Sequence, residues 1–307
     1  MIVLILAVAA FVLWGGLFLT AYLKSKDIYA EYLEALDKKE YSFKDLIRLG
    51  LYLNEKINLR KILPQNIYKY LYRYESMIKS KIVEVYGSRY AGYYFMIHNG
   101  NKVAVSLTLA AGASLLSVVL GTQGDYSNCS IFLVASFVLF VGMQLLVDNG
   151  LNDKIEKRRL ELQMEFPDFI NKLTLLVNAG MTISRAWEKI VTDNKKNTPL
   201  YNEMTIALSE IRAGKPEELA YEEFGRRCKI KEIIKFVSVI IQNLKKGGAE
   251  VIPVLKVQGM ECWELRKNIA KRLGEEASSK LLLPMTIMLL GIMAIVVVPA
   301  VMQLTNM

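Results

Sequence analysis

The sequence is short of the residues that carry most enzyme chemistry. It has one histidine, His98, and three cysteines, Cys129, Cys228 and Cys262, among 307 residues. The cysteines are scattered, at no spacing that suits a metal. Cys129 falls on the other side of the membrane from Cys228 and Cys262 in the topology argued below, which speaks against a disulfide framework. His98 stands in "MIHNGNK" with no carboxylate at a telling spacing, so it reads as structural. There is no Gly-x-Ser-x-Gly, no Gly-x4-Gly-Lys-Ser/Thr phosphate loop and no His-Glu-x-x-His. "NAGMTIS" holds a single glycine and no lysine. The chain therefore reads as no enzyme, with no catalytic, cofactor or metal residues, and any energy it uses must come from a partner.

Charge is missing in four places. Met1–Leu23, Val103–Gly124, Tyr126–Val147 and Leu281–Met307 contain no Asp, Glu, Lys or Arg, and these runs hold 23, 22, 22 and 27 residues. About 20 mostly apolar residues suffice for a helix to cross the hydrocarbon core. One such run could be a buried helix of a large soluble protein. Four of them, in a chain that is 53% hydrophobic yet still 22% charged, predict a polytopic membrane protein. The first run has no basic residue ahead of its apolar core, and its "AVAA" falls mid-run, so an uncleaved span is expected rather than a signal peptide.

The predicted fold is all-α. Spans are expected at 1–23, 103–121, 131–147 and 281–304, a helical segment at 24–102, and a helical-bundle domain at 148–280. Every Lys and Arg falls in the two long segments: 15 in 24–102 and 24 in 148–280, which together make the full 39. The positive-inside tendency puts both segments in the cytoplasm and both termini outside, in a cell-membrane protein. The net charge of +9 is then the usual basic excess beside a membrane, attracted to anionic lipid. Acidic residues are mixed in throughout, and no basic run carries interleaved aromatics, so nucleic acid is not an expected partner.

Within 24–102, Ser42 is a plausible helix cap followed by Asp45, and Pro64 can open another helix. Tyrosine recurs at Tyr68, Tyr70, Tyr72, Tyr74, Tyr86, Tyr90, Tyr93 and Tyr94, which reads as an interfacial and packing set. The link "GTQGDYSNCS" is short enough to force an antiparallel hairpin of spans two and three. Ala110, Gly112, Ala113, Ser114 and Ser117 in span two permit close helix approach.

Segment 148–280 is the informative one. Phe166, Phe169, Ile170, Leu173, Leu176 and Val177 form one apolar helical stripe, and Gly180 suits the left-handed position that ends it. Thr182 and Thr198-Pro199 start further helices, Gly214 and Gly247-Gly248 stop them, and about six helices are expected in all. Pro284, on the cytoplasmic side of the last span, is equally a harmless kink or a hinge.

"EFPDFINKLTLLVNAGMTISRAWEKI" resembles the opening helical hairpin of the type II secretion F domain. "GGAEVIPVLKVQGMECWELRKNIAKRLGEEASSKLLLPMTIMLLGIMAIVVVPAV" is similar to its closing helices and final span. The resemblance covers about 150–303 and is nearest to the platform proteins of tight-adherence (Flp-type) pili. It implies an inner-membrane platform that docks on a cytoplasmic hexameric secretion ATPase and moves pilin subunits into a fibre. A second platform protein or self-association is a further implied partner. The runner-up is a small transporter or channel component, which usually carries ionisable residues inside its spans; these spans have none.

For a partner surface, the charges Glu217, Glu218, Glu222, Glu223, Arg226 and Arg227 are the candidates. They compete with a plainer reading, a solvated face laced by Glu222–Arg226 and Glu223–Arg227 pairs. Gly180, Gly247, Gly248 and Pro284 are expected to shape the domain rather than to bind.

Overall fold

The computed structural model describes residues 2–25, 29, 33, 44–56, 64–194, 197–246 and 251–305. The described residues form helices joined by turns, with no strand: α1 (Ile2–Ser25), α2 (Lys44–Lys56), α3 (Gln65–Tyr86), α4 (Ala91–Thr122), α5 (Tyr126–Asn178), α6 (Ile183–Asp193), α7 (Pro199–Arg212), α8 (Glu217–Cys228), α9 (Lys231–Lys246) and α10 (Val251–Thr305). The fold is all-α. Four helices, α1, α4, α5 and α10, are long and apolar enough to cross a membrane. The chain divides into two units, Met1–Lys157 and Arg158–Met307, and the division falls inside α5. The Ser42 cap and the Gly247-Gly248 stop lie outside the described residues.

In the first unit, Pro64 does open α3, supplying the extended residue before its first turn. α4 and α5 are joined by three residues, 123–125, with Gly124 at φ +85°. Asp125 accepts from the Asn128 amide at 3.2 Å and so caps the start of α5. Of the small residues of α4, Ala110, Ala113, Ser114 and Ser117 are buried, while Gly112 faces open space. Gly121 lies against Leu4 and Cys129, where a Cβ would come within 2.7 Å of the leucine.

The closest approach involves α2. Leu49 and Leu53 pack with Trp14 and Ala21 of α1 and with Leu107 and Ala110 of α4. Ile47 and Leu51 pack with Ile97. A short helix carrying Arg48, Glu55 and Lys56 thus seats its apolar side chains against two span-forming helices. Glycine makes this possible: a Cβ on Gly50 would lie 1.8 Å from the Gly100 carbonyl oxygen. Arg48 keeps its guanidinium 5.3 Å from the centre of the Tyr22 ring.

The second unit has an aromatic core. The stripe on α5 buries Phe166, Phe169, Ile170 and Leu173 against Trp187 of α6, Tyr221 and Phe224 of α8 and Phe236 of α9. Phe169 meets Trp187 edge-on at 5.1 Å, and Trp187 meets Phe224 edge-on at the same distance. Gly180 adopts φ +93°, and the Gly180 and Met181 amides return to the Val177 and Leu176 carbonyls, which closes α5. Thr182 caps α6, accepting from the Arg185 amide. α8 ends without glycine; Lys229 takes the left-handed conformation at φ +54°. On α10, Val251, Leu255, Gln258, Gly259 and Cys262 are buried, but residues 270–297 are exposed throughout. The helix passes through Pro284 and Pro299 without a break.

Candidate partner surface and buried charge clusters

The six charges predicted as a partner surface all lie on α8, but they do not share one environment. Glu222 and Arg226 face solvent and pair at 2.6 Å. The pairing raises the Arg226 pKa from an already high value. Glu217 accepts from Ser184 of α6 at 2.5 Å, and Glu218 is half-buried. Glu223 pairs with Lys215 at 2.5 Å, and this contact lowers the glutamate pKa and raises that of the lysine. Its distance to Arg227 is 3.8 Å.

Arg227 corrects the expectation of an exposed charge. It turns inward, with Nε donating to Glu203 Oε2 at 2.7 Å and Nη1 to Glu210 at 3.3 Å. From the opposite side, Arg158 Nη2 donates to Glu203 Oε1 at 2.7 Å. Glu203 on α7 is therefore clamped between two guanidinium groups from α5 and α8. Arg158 Nη1 and Arg227 Nη2 are buried without a hydrogen-bond partner among the described residues. Beside this clamp, burial pushes the Cys228 thiol up to about 12, with the nearby Glu203 carboxylate adding to the shift. Such a thiol is inert at neutral pH.

A second cluster, which the sequence did not disclose, lies in the first unit. His98 does have a carboxylate neighbour: its Nε2 sits 2.8 Å from Asp148 Oδ1. Asp148 is the first residue after the uncharged run that ends at Val147, outside the expected span 131–147. Its other oxygen accepts from Lys102 Nζ at 2.6 Å and from the Tyr74 hydroxyl. Burial alone would raise the Asp148 pKa; the hydrogen bonds from His98, Lys102 and Tyr74 outweigh it and hold the carboxyl down at about 2. An ionised carboxylate only accepts, so His98 Nε2 carries the proton of that contact. Burial, and then the Asp148 contact, push the Tyr74 phenol up to about 12. Tyr74 is thus one member of the tyrosine set with a specific polar role. Tyr86 fits the packing expectation, stacking on Tyr94 at 3.7 Å. The missing signal is understandable: His98 and Lys102 are one turn apart on α4, but Tyr74 and Asp148 come from two other helices, 24 and 46 or more positions away.

Among the described residues, no group of three or more His, Cys, Asp or Glu is placed to hold a metal ion. The cysteines are all free and buried.

The end of α5 with α6, and α10, hold the two stretches that resemble the F domain, and α7–α9 lie between them. Residues 169–299 match the family model for Type II secretion system (T2SS), protein F. The chain carries an F domain. The match begins at Phe169 within α5 and ends at Pro299 within α10, so it takes in most of the aromatic core, the last apolar helix as far as Pro299, and Glu203 and Arg227 of the clamp, while Arg158 and Phe166 lie before it. It covers less than half of the chain. No curated protein and no solved structure matches the chain. The F domain, together with four span-length apolar helices, indicates a multi-pass inner-membrane protein of the secretion and pilus platform kind.

Proposed function

We propose that this protein is the inner-membrane platform of a tight-adherence pilus or related type II secretion-like machine. It couples a cytoplasmic secretion ATPase to the extraction of pilin subunits from the bilayer. Segments 24–102 and 148–280 lie in the cytoplasm, with both termini outside. The observation that carries this reading is the F domain at 169–299, whose last helix, α10, continues from a water-facing bundle into an uncharged run of lipid-spanning length. The sequence has no phosphate loop, so the motor is a separate protein. Platform proteins need shape, rigidity and contacts rather than a reactive centre. The Asp148 cluster and the Glu203 clamp fit that need, because each ties several helices together through a single carboxylate.

The test is genetic and biochemical. Deletion of the gene is expected to abolish surface fibres or secretion while pilin still accumulates in the membrane. The full chain in nanodiscs is expected to bind the cognate secretion ATPase. Normal fibre assembly in the deletion strain would refute the proposal. Solute movement by the reconstituted chain alone would favour the transporter instead.

A further inference from the structure

Leu175 is the odd residue of the F-domain bundle. It lies on α5 just before Gly180, on the face opposite the buried stripe, and is 69% exposed. It is more exposed than Ile206, Leu219 or Ile234 on the neighbouring helices. Hollows flank it on both sides. One, of about 350 Å³, is floored by Leu175, Leu176 and Ile190 and rimmed by Lys172, Lys189 and Asp193. The other, of about 260 Å³, is lined by Glu165, Asp168 and Tyr201. Lys172 and Lys189 take part in no ion pair among the described residues, although Asp193 borders the same hollow. By contrast, Glu165 is held by Thr198 at 2.5 Å and Asp168 by Arg266 at 2.7 Å. The larger hollow is thus apolar at its floor and has a surplus of uncommitted positive charge at its rim.

Its position says what can reach it. Asp168 is level with Arg266, and Asn171 lies against Gly259, so α5 and α10 run side by side in opposite directions. The uncharged run of α10 begins at Leu281, 22 residues beyond Gly259. At a helical rise of 1.5 Å per residue that is about 33 Å along the axis. Leu175 lies further along α5 than Asn171, and so further still from that run. Lipid and subunits embedded in lipid do not come to this end of the bundle. A second copy in the same bilayer, related by a twofold axis normal to the membrane, would set Lys172 towards Lys172 and Leu175 towards Leu175, leaving the cations unmatched.

We infer that the hollow between α5 and α6 is a docking site for the motor protein, taking an acidic segment with an apolar side chain at its centre. Leu175, Leu176 and Ile190 receive the apolar side chain, and Lys172 and Lys189 meet the acids. This rests on the platform reading and names the surface that serves it, in place of the α8 charges. Exposed cations around an apolar centre also speed encounter, so the association should weaken with salt.

The experiment uses the full chain in nanodiscs and the purified cognate secretion ATPase, with affinity read by fluorescence titration. The variants are Leu175→Asp, the pair Lys172→Glu with Lys189→Glu, and, on α8, the pair Glu222→Gln with Arg226→Gln. All of these positions are exposed, and an unchanged thermal transition checks that each variant folds. Expected are a loss of at least tenfold in affinity for the first two, steeper salt dependence for the native chain than for the double lysine variant, and native affinity for the α8 pair. If the native chain binds but the Leu175 and lysine variants bind equally well, or the α8 pair loses as much as they do, the docking site is wrong while the platform reading stands. If the native chain does not bind the ATPase at all, the platform reading itself falls.

Discussion

Glycine at position 50 has no freedom to change. A methyl group there would sit 1.8 Å from the Gly100 carbonyl oxygen, and backbone on both sides prevents the strain from dispersing. Gly50→Ala is expected to destabilise the first unit by at least about 1–3 kcal/mol, the usual cost of overpacking. Gly112→Ala, which has nothing within 4 Å of its new methyl, is expected to leave stability unchanged. Thermal unfolding of detergent-solubilised protein separates the two. Glu203 makes a different demand. Its removal leaves Arg158 and Arg227 facing each other with no anion between them, so Glu203→Ala should cost about 3–5 kcal/mol. Glu222→Gln on the exposed pair should change little. The Asp148 cluster sets a pH window. The folded Asp148 pKa lies below its ordinary value of 3.8, so its contribution is complete above about pH 4 and is lost as pH falls through about 2. Tyr74 is shifted the other way, from 10.0 to about 12, so its contribution is complete below about pH 10 and is lost as pH rises through about 12. Asp148→Asn should flatten the acid limb of a stability-against-pH curve, and Tyr74→Phe the alkaline limb. A curve unchanged by both substitutions would mean that the cluster stabilises nothing.

Among the elements, α10 stands out for how little supports its middle. Residues 270–280 are exposed throughout, and the stretch is laced by pairs such as Lys271–Glu275 at 4.0 Å and Arg272–Glu276 at 3.5 Å. Such pairs add only about 0.2–0.5 kcal/mol each to a helix. Amides of 270–280 are therefore expected to exchange hydrogen faster than those of the α5 stripe around Phe169, which mass spectrometry of the nanodisc-bound chain can read. Glu275→Pro costs a helix interior about 3 kcal/mol. It should leave the aromatic core folded and the last span inserted, while fibre assembly is lost. The elements were the most legible part of the sequence. The uncharged runs marked the apolar helices, Gly180 and Thr182 marked the turn between α5 and α6, and Pro64 marked the start of α3. Each of those signals is local: a run length, a cap, a residue that fits a left-handed φ. Helix α2 was less legible. It was expected only as part of a cytoplasmic helical segment, and it is the packing around the Gly50–Gly100 contact, between residues 50 positions apart, that shows where its leucines go.

For the whole molecule, the same division between local and distant signals decides what the sequence could tell. The F-domain resemblance came from contiguous helices with a characteristic order, and the match at 169–299 falls within the range that it covered. The clamp and the Asp148 cluster escaped because they join residues 45 and 50 positions apart through single carboxylates. The α8 charges were candidates as exposed charges of the bundle, yet the sequence does not reveal that Arg227 is already paired with Glu203 on another helix. Lys172 and Lys189, sparse in the sequence, are two cations that no neighbour pairs among the described residues, and they border one apolar hollow.

The 55 residues of α10 form one helix from the bundle to the end of its apolar run, about 82 Å at the usual rise, with no loop to absorb motion. In the proposed platform it serves as an axle: a twist applied where Gly259 seats on α5 meets no loop before Leu281–Val297. A motor gripping the far end of such a shaft needs no gate and no chemistry of its own in the bilayer. It has only to turn.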